Sequence, residues 1–201
     1  SPSYVWSPDG KHIAYAVEDY NYNSDIYIIA TDGESEPINV SRHPDSDYSP
    51  VWSPDGKILA FAGRRHSTQT DLFFVHLRRE THFRSDRDAK IESARQAMSK
   101  DPQYKEEKKE ETTEAETKKP QKEDKEEKDS IDFEDLHKRI QRIPLNGMSL
   151  SRLHWMPDSK NLTFQSGGSI HRVEAKAGAK PTVMAKASGP IIRYRDNDKI
   201  Y

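Results

Sequence analysis

Tyr4-Val5-Trp6-Ser7-Pro8-Asp9-Gly10-Lys11-His12-Ile13-Ala14-Tyr15-Ala16 returns as Pro50-Val51-Trp52-Ser53-Pro54-Asp55-Gly56-Lys57-Ile58-Leu59-Ala60-Phe61-Ala62. The two tryptophans stand 46 positions apart. Asp25-Ile26-Tyr27-Ile28-Ile29 matches Asp71-Leu72-Phe73-Phe74-Val75 at the same 46-residue spacing, so two separate segments agree on one period. A repeat of this length means that one supersecondary unit recurs along the chain, and it outranks any local reading of secondary structure.

The residue types say what the unit is. In Ser-Pro-Asp-Gly, proline presets φ for the second turn position, aspartate suits the third, and glycine accepts the positive φ that closes a hairpin. The flanking Val-Trp, Ile-Ala-Tyr and Ile-Leu-Ala-Phe runs are short, rich in β-branched and aromatic residues, and bounded by turn signals, as buried strands are. Each unit therefore reads as three or four antiparallel strands. Such a sheet cannot bury both faces alone and must stack on a sister unit, with the tryptophan packed between them.

A third copy, Leu153-His154-Trp155-Met156-Pro157-Asp158-Ser159-Lys160-Asn161-Leu162-Thr163-Phe164, keeps the Trp, the Pro-Asp pair and the Lys, with Ser159 in place of glycine. It runs on into Ser169-Ile170-His171-Arg172-Val173, and Lys180-Pro181-Thr182-Val183 parallels Glu36-Pro37-Ile38-Asn39. A degenerate fourth start lies in 192–201. The expected fold is all-β: a partial β-propeller of about three four-stranded antiparallel blades. Residues 1–77 hold the first blade and most of the second, and 131–201 the end of the second, the third and the start of a fourth. Closed propellers have about 4–8 blades, and both ends of the sequence cut through a repeat, so the chain reads as a stretch of a longer protein.

Between these parts lies a charged insert, 78–130, with 15 Lys/Arg against 16 Asp/Glu. It explains why the hydrophobic content is 32%, against about 45–50% in ordinary globular chains. Residues 86–98 are rich in helix formers and are expected to form a short helix. The Lys/Glu tract of 105–129 has nothing to bury and is expected to be disordered, a solvated rim loop or tether. Structure resumes at Ile131-Asp132-Phe133-Glu134-Asp135-Leu136, and Arg139-Ile140-Gln141-Arg142-Ile143 reads as an outer strand ended by Pro144.

The formal net charge is −2 with signs intermixed, which gives no basic stripe for nucleic acid. No run of about 18 apolar residues is present to span a bilayer. The chain has no cysteine, which excludes disulfides, thiolate catalysis and cysteine-ligated zinc. Asp19-Tyr20-Asn21-Tyr22-Asn23-Ser24-Asp25 places oxygen side chains at alternate positions, as calcium loops do. However, Ser24 stands where the turn needs glycine and Ala30 where a bidentate Glu belongs, so an Asn-rich hairpin loop is the better reading. The histidines at 12, 43, 66, 76, 82, 137, 154 and 171 show no ligand spacing. Ser166-Gly167-Gly168-Ser169 lacks the Gly-x-Ser-x-Gly order and reads as a two-glycine hairpin. Asn39-Val40-Ser41 and Asn161-Leu162-Thr163 match the glycosylation pattern, which arises often by chance. No catalytic, cofactor-binding or metal-binding residue is assigned, and no cofactor is expected.

The Trp-Ser-Pro-Asp-Gly lines resemble the WD40-like Pro-Asp repeats of the TolB propeller and of the propellers in tricorn-type and prolyl-oligopeptidase-type peptidases. The resemblance covers 1–77 strongly and 146–201 more weakly. The Ile-Asp-Phe-Glu and Arg-Ile-Gln-Arg-Ile-Pro elements within 131–144, coming after a charged insert, are similar to the corresponding blade of bacterial tricorn-type serine peptidases. In that family the propellers precede a separate catalytic region, none of which is in this sequence. The resemblance implies a non-catalytic propeller segment of a larger serine peptidase, serving as peptide channel, filter or protein-docking surface, with a peptide or protein as ligand. The alternative it leaves open is a TolB-like envelope binding scaffold without enzymatic activity. Either implies a periplasmic or secreted location over a cytoplasmic one. Blades of this kind serve many functions, so the fold is the firmer implication.

Overall fold

The computed structural model describes residues 4–65, 68–79 and 131–186. Twelve strands form three four-stranded antiparallel sheets, each ordered consecutively. The first holds β1 (Tyr4–Trp6), β2 (His12–Glu18), β3 (Ser24–Ala30) and β4 (Ile38–Asn39). The second holds β5 (Asp47–Trp52), β6 (Ile58–Gly63), β7 (Asp71–His76) and β8 (Ile140–Ile143). The third holds β9 (Ser151–Trp155), β10 (Asn161–Ser166), β11 (Ser169–Glu174) and β12 (Thr182–Lys186). These are the three blades that the repeat predicts. The outer strand β8 pairs with β7 from beyond the insert, with Arg142 opposite Phe73, just as Asn39 stands opposite Tyr27 in the first blade. The short helix and the Lys/Glu tract expected in the insert, and the fourth start at 192–201, lie outside the described residues.

The repeated turn is built the same way twice. Ser7 Oγ donates to Asp9 Oδ1 (2.5 Å), which also accepts from the Lys11 N–H, while the His12 N–H donates to Ser7 Oγ. Ser53, Asp55, Lys57 and Ile58 repeat each bond. Gly10 and Gly56 take φ of 72° and 70°, the left-handed region that costs glycine least. The third copy has lost the serine to Met156. There the Asn161 N–H donates directly to Asp158 Oδ1 (2.9 Å). Ser159 adopts φ 53° in place of glycine, and its Oγ accepts from the Asp55 N–H of the neighbouring turn (3.1 Å). The departure from the repeat is thus a bond between blades.

The sheets stand side by side through their first strands. β5 touches β1, β2 and β3 on one side and β9 on the other. Trp52 Nε1 donates to the carbonyl of Val5 (3.1 Å), and Trp155 Nε1 donates to the carbonyl of Val51 (3.1 Å). Each tryptophan thereby latches onto the first strand of the preceding blade while its ring fills the seam. Ile58, Ala60, Leu72, Phe74 and Ile143 of the second sheet meet Leu153, Trp155, Leu162, Phe164 and Val173 of the third in one apolar core. Fully burying each large side chain there stabilises by about 1.5–3 kcal/mol. At equivalent positions of the three sheets a cross-strand ring pair recurs: Tyr15 with Tyr27, Phe61 with Phe73, and Phe164 with His171, with centroids 5.9, 5.9 and 5.3 Å apart, the last of them lying in the core just described. Trp6, Tyr4 and Val17 lie on the exposed face of the first blade.

A second device joins the first two blades. The guanidinium of Arg65 forks onto the fully buried Asp47 carboxylate, with Nη2 2.7 Å from Oδ2. Its remaining Nη2 proton reaches the Ser41 carbonyl (3.4 Å). The same group lies 5.3 Å and 4.8 Å from the Phe61 and Phe73 ring centroids, within cation–π range. Elsewhere, Arg79 Nε and Asp132 Oδ2 pair at 3.1 Å, linking the two ends of the unit Arg78–Asp132.

In the β3–β4 connection Asp32 caps its own turn. Hydrogen bonds from the Ser35 hydroxyl, then from the Ser35 and Glu34 N–H groups, hold its carboxyl down to about 2. A depressed carboxylate contributes its turn stabilisation above the unfolded value and loses it as pH falls through the folded one. Carboxyl titration followed by NMR should therefore place Asp32 at about 2. Ser35→Ala should move that midpoint up towards the ordinary value of about 3.9, and an unmoved midpoint would refute this account of the turn.

Candidate binding face

Antiparallel strands deliver their connections alternately to two ends of the blades, and the two ends differ in chemistry. At one end lie the Pro-Asp turns and the β3–β4 and β11–β12 connections. Asp9, Lys11, Asp32, Glu34, Asp55, Lys57, Asp158, Lys160 and Lys176 crowd there, with the signs mixed. The four aspartates of this end are occupied by their own turns. Burial pushes the Asp9 carboxyl up, but the Ser7 hydroxyl and the Lys11 N–H outweigh it and hold it below the usual range. The same opposition, won by the Lys160 and Asn161 N–H groups and the Asn161 side chain, holds Asp158 down. These groups serve turns and leave little for a ligand.

The other end carries the connections 19–23, 40–46, 64–70, 144–150 and 167–168, which hold Tyr, Asn, Ser and Gly and are poorer in charge. Its most prominent feature is the β2–β3 loop. Asp19 Oδ1 accepts from the Asn21 N–H (2.8 Å) and the Asn23 N–H (2.9 Å), and the Asp19 N–H donates to the Asn23 carbonyl (2.8 Å). This bracing lifts Tyr20 and Tyr22 into solvent, 104% and 79% exposed. Tyr22 adopts φ 63°, which is uncommon for a bulky residue. Its carbonyl accepts from Ser46 Oγ (3.3 Å), tying the loop to the connection that leads into the second blade. Nearby, Tyr48 Oη and Thr70 Oγ1 share a proton at 2.7 Å, and the Arg64 guanidinium lies 5.9 Å from the Tyr48 ring centroid.

The first strands of the second and third blades bulge towards this same end. Pairing of β5 with β6 shifts between Tyr48 and Val51, and Ser49 there has φ 54°. Pairing of β9 with β10 shifts between Ser151 and His154, and Arg152, at the equivalent position, has φ 52°. Bulges of this kind re-aim side chains and gather at functional rims. Arg152 Nη1 donates to Gln165 Oε1 (2.6 Å), which holds the guanidinium along the blade.

The weighed candidates fall into place. The 19–25 stretch is a hairpin loop: Asp19 serves its own backbone, while Asp25 accepts from Ser41 Oγ (2.6 Å), Asn39 Nδ2 (2.7 Å) and the His43 N–H (3.1 Å). Asn39 lies in β4 with its amide held by Asp25. Asn161 opens β10 with its amide on Asp158 (2.5 Å). Gly167 and Gly168 take φ of 54° and 72° in the tight β10–β11 turn. Among the histidines, His12 sits between the Trp52 and Phe133 rings, and His171 stacks on Phe164; His66 and His82 lie outside the described residues. No three His, Asp or Glu side chains among the described residues converge as a metal site. No helix among them is long and apolar enough to cross a membrane.

No family of known sequences matches the chain, and no curated protein does. Solved structures do. The structure of a putative TolB from Agrobacterium tumefaciens superposes with a TM-score of 0.50 at 14% identity, covering 92% of this chain and 50% of that one. The fold is a β-propeller's. The crystal structure of the tricorn protease is also similar, with a TM-score of 0.42 at 12% identity over 91% of this chain and 23% of that one. The chain thus spans about half the length of the TolB chain it matches, and at such identities the likeness is one of fold.

Sequence reading alone passed over Tyr20 and Tyr22 as binding groups, because it weighed their loop for its oxygens. It also missed the Asp47–Arg65 joint and the bulges at Ser49 and Arg152. The tyrosines left a signal in their spacing within an Asn-rich turn. The bulges left none, since neither serine nor arginine announces a left-handed backbone.

Proposed function

We propose that this chain is a non-catalytic propeller segment that binds a peptide or protein, and that its parent is a tricorn-like serine peptidase in which the blades act as channel, filter or docking surface. The observation that carries the binding role is the unlike chemistry of the two ends. One spends its aspartates on turns, and the other offers exposed tyrosine, amide and hydroxyl groups beside bulged first strands, a composition suited to adaptable polypeptide contacts. The peptidase parent is supported by the 131–144 stretch, whose Ile140–Ile143 segment completes the second blade after a charged insert. A location in the periplasm or outside the cell accompanies this reading.

A second reading, a TolB-like binding scaffold with no chemistry in the parent, is favoured by the superposition on the putative TolB. Labelling of the full-length protein with a fluorophosphonate probe separates the two. The peptidase reading expects one labelled serine outside these residues, and absence of labelling in freshly purified protein leaves the scaffold. Binding is tested by fluorescence polarisation with a labelled, reduced and carboxymethylated lactalbumin. Saturable binding is expected, and none at all would overturn the channel and filter roles.

A further inference from the structure

We infer that Asn146 is a self-modifying site, at which the main-chain nitrogen of Gly147 attacks the side-chain amide and converts the residue to isoaspartate and aspartate. This chemistry is independent of peptide binding. Asn146 is the only asparagine of the sequence followed by glycine, and a glycine nitrogen reaches a preceding side chain most easily because no Cβ hinders its approach. The pair forms the tip of the turn 145–148, with φ of 51° and 84° and the Met148 N–H donating to the Leu145 carbonyl (3.1 Å), the pattern of a type I′ turn. Both residues are exposed, and among the described residues neither the Asn146 amide nor the Gly147 N–H has a hydrogen-bond partner. One main-chain bond closes the turn, so the rotation about Asn146 that brings nitrogen and side-chain carbon together opens little structure.

Comparable positions are protected. Gly10 and Gly56 follow aspartates, but their N–H groups donate to the Ser7 and Ser53 carbonyls at 3.0 and 2.9 Å, and Asp9 and Asp55 are carboxylates engaged in their own turns. Asn39 and Asn161 have their amides held by Asp25 and Asp158, and the Val40 N–H after Asn39 donates to the Ile26 carbonyl (2.7 Å). At Asn146 the bond from Gly147 N to Cγ forms as the Cγ–Nδ2 bond breaks, and ammonia leaves with the proton of the Gly147 nitrogen. Water then opens the cyclic imide. Opening at Cγ yields aspartate, and opening at the main-chain carbonyl yields isoaspartate, whose backbone runs one methylene longer through the former side chain. Either product puts a carboxylate on the end that is poorer in charge. The longer backbone also falls between two anchors: the buried Leu145, whose N–H donates to Asp71 Oδ1 (2.9 Å), and Met148, packed against the core between the second and third sheets.

The test ages the folded full-length protein in mildly alkaline buffer, follows each asparagine by peptide mapping, and reads isoaspartate as methyl transfer by a protein isoaspartyl methyltransferase. Position 146 should convert first and furthest, to both products, and faster as pH rises, because the attacking nitrogen must lose its proton. Gly147→Ala should slow conversion severalfold, but alanine is strained at φ 84°. Asn146→Gly therefore serves as the second variant: it accepts the left-handed backbone and should abolish methyl transfer to this segment with the fold intact. The inference is overturned if position 146 is still an amide when other asparagines have converted, if aspartate forms without isoaspartate, or if Asn146→Gly accepts methyl groups in this segment as the parent does.

Discussion

Trp155→Ala and Trp52→Ala are each expected to destabilise the chain by about 3–5 kcal/mol, the range for emptying a buried tryptophan site. Trp155 is 3% exposed and bonded to the Val51 carbonyl, and Trp52 is 7% exposed and bonded to the Val5 carbonyl. Thermal unfolding reads the loss as a fall of roughly 6–20 °C. A fall of only a few degrees at both positions would mean that the tryptophans do not latch one blade to the next. Trp155→Phe keeps most of the packing while removing the hydrogen bond, worth about 1 kcal/mol, and a smaller part of the ring, so its loss should be well below that of Trp155→Ala.

The second large effect is expected at the Asp47–Arg65 joint. Asp47→Ala leaves a guanidinium stranded between the Phe61 and Phe73 rings, and breaking a buried pair from one side costs about 3–5 kcal/mol. Removing both charges, as Asp47→Ala with Arg65→Met, should recover much of that loss, because the pair's desolvation cost vanishes with it. A double variant as unstable as the single one would show that the charges are not coupled. The pH dependence carries a sign. Burial raises the Asp47 carboxyl above its ordinary value, against the pull of the Arg65 hydrogen bonds and charge. A carboxyl raised in the folded state binds its proton more tightly there than in the unfolded chain, so stability declines as pH rises from the unfolded value through the folded one. Arg65→Met takes away the opposing cation and should enlarge that decline as pH rises above the unfolded value of about 3.9. A variant that gains stability over that interval would refute the assignment. Gly63 belongs to the same joint, since a Cβ there would run into Asp47 Oδ1.

Much of the architecture was legible because its determinants are local. Ser-Pro-Asp-Gly carries its turn in four adjacent residues, and strand alternation needs only the next few positions. Val183 opposite His171 in the third blade, matching Asn39 opposite Tyr27 in the first, follows from the same spacing. The substitution of glycine by Ser159 looked like decay of the repeat. In the fold it is a contact, because its hydroxyl meets the Asp55 N–H of a turn 104 residues away in sequence.

The candidate face was less legible for a related reason. The alternating oxygens of 19–25 read as a hairpin loop in the sequence, for want of the glycine and glutamate of a calcium loop, but their partners, Ser41, Asn39, His43 and the loop's own backbone, were not visible there. Which side chains remain for a ligand depends on which have already been taken. That is settled by neighbours from other strands.

Repeat period, turn chemistry and the all-β class were therefore written in the chain itself, since each rests on interactions between residues a few positions apart. The exposure of Tyr20 and Tyr22, the seating of Trp52 and Trp155 on the preceding blades, the left-handed Ser49 and Arg152, and the buried Asp47–Arg65 pair were decided only when the sheets packed. Burial and charge pairing are properties of a residue's surroundings, and those surroundings are assembled from segments that the linear order keeps apart.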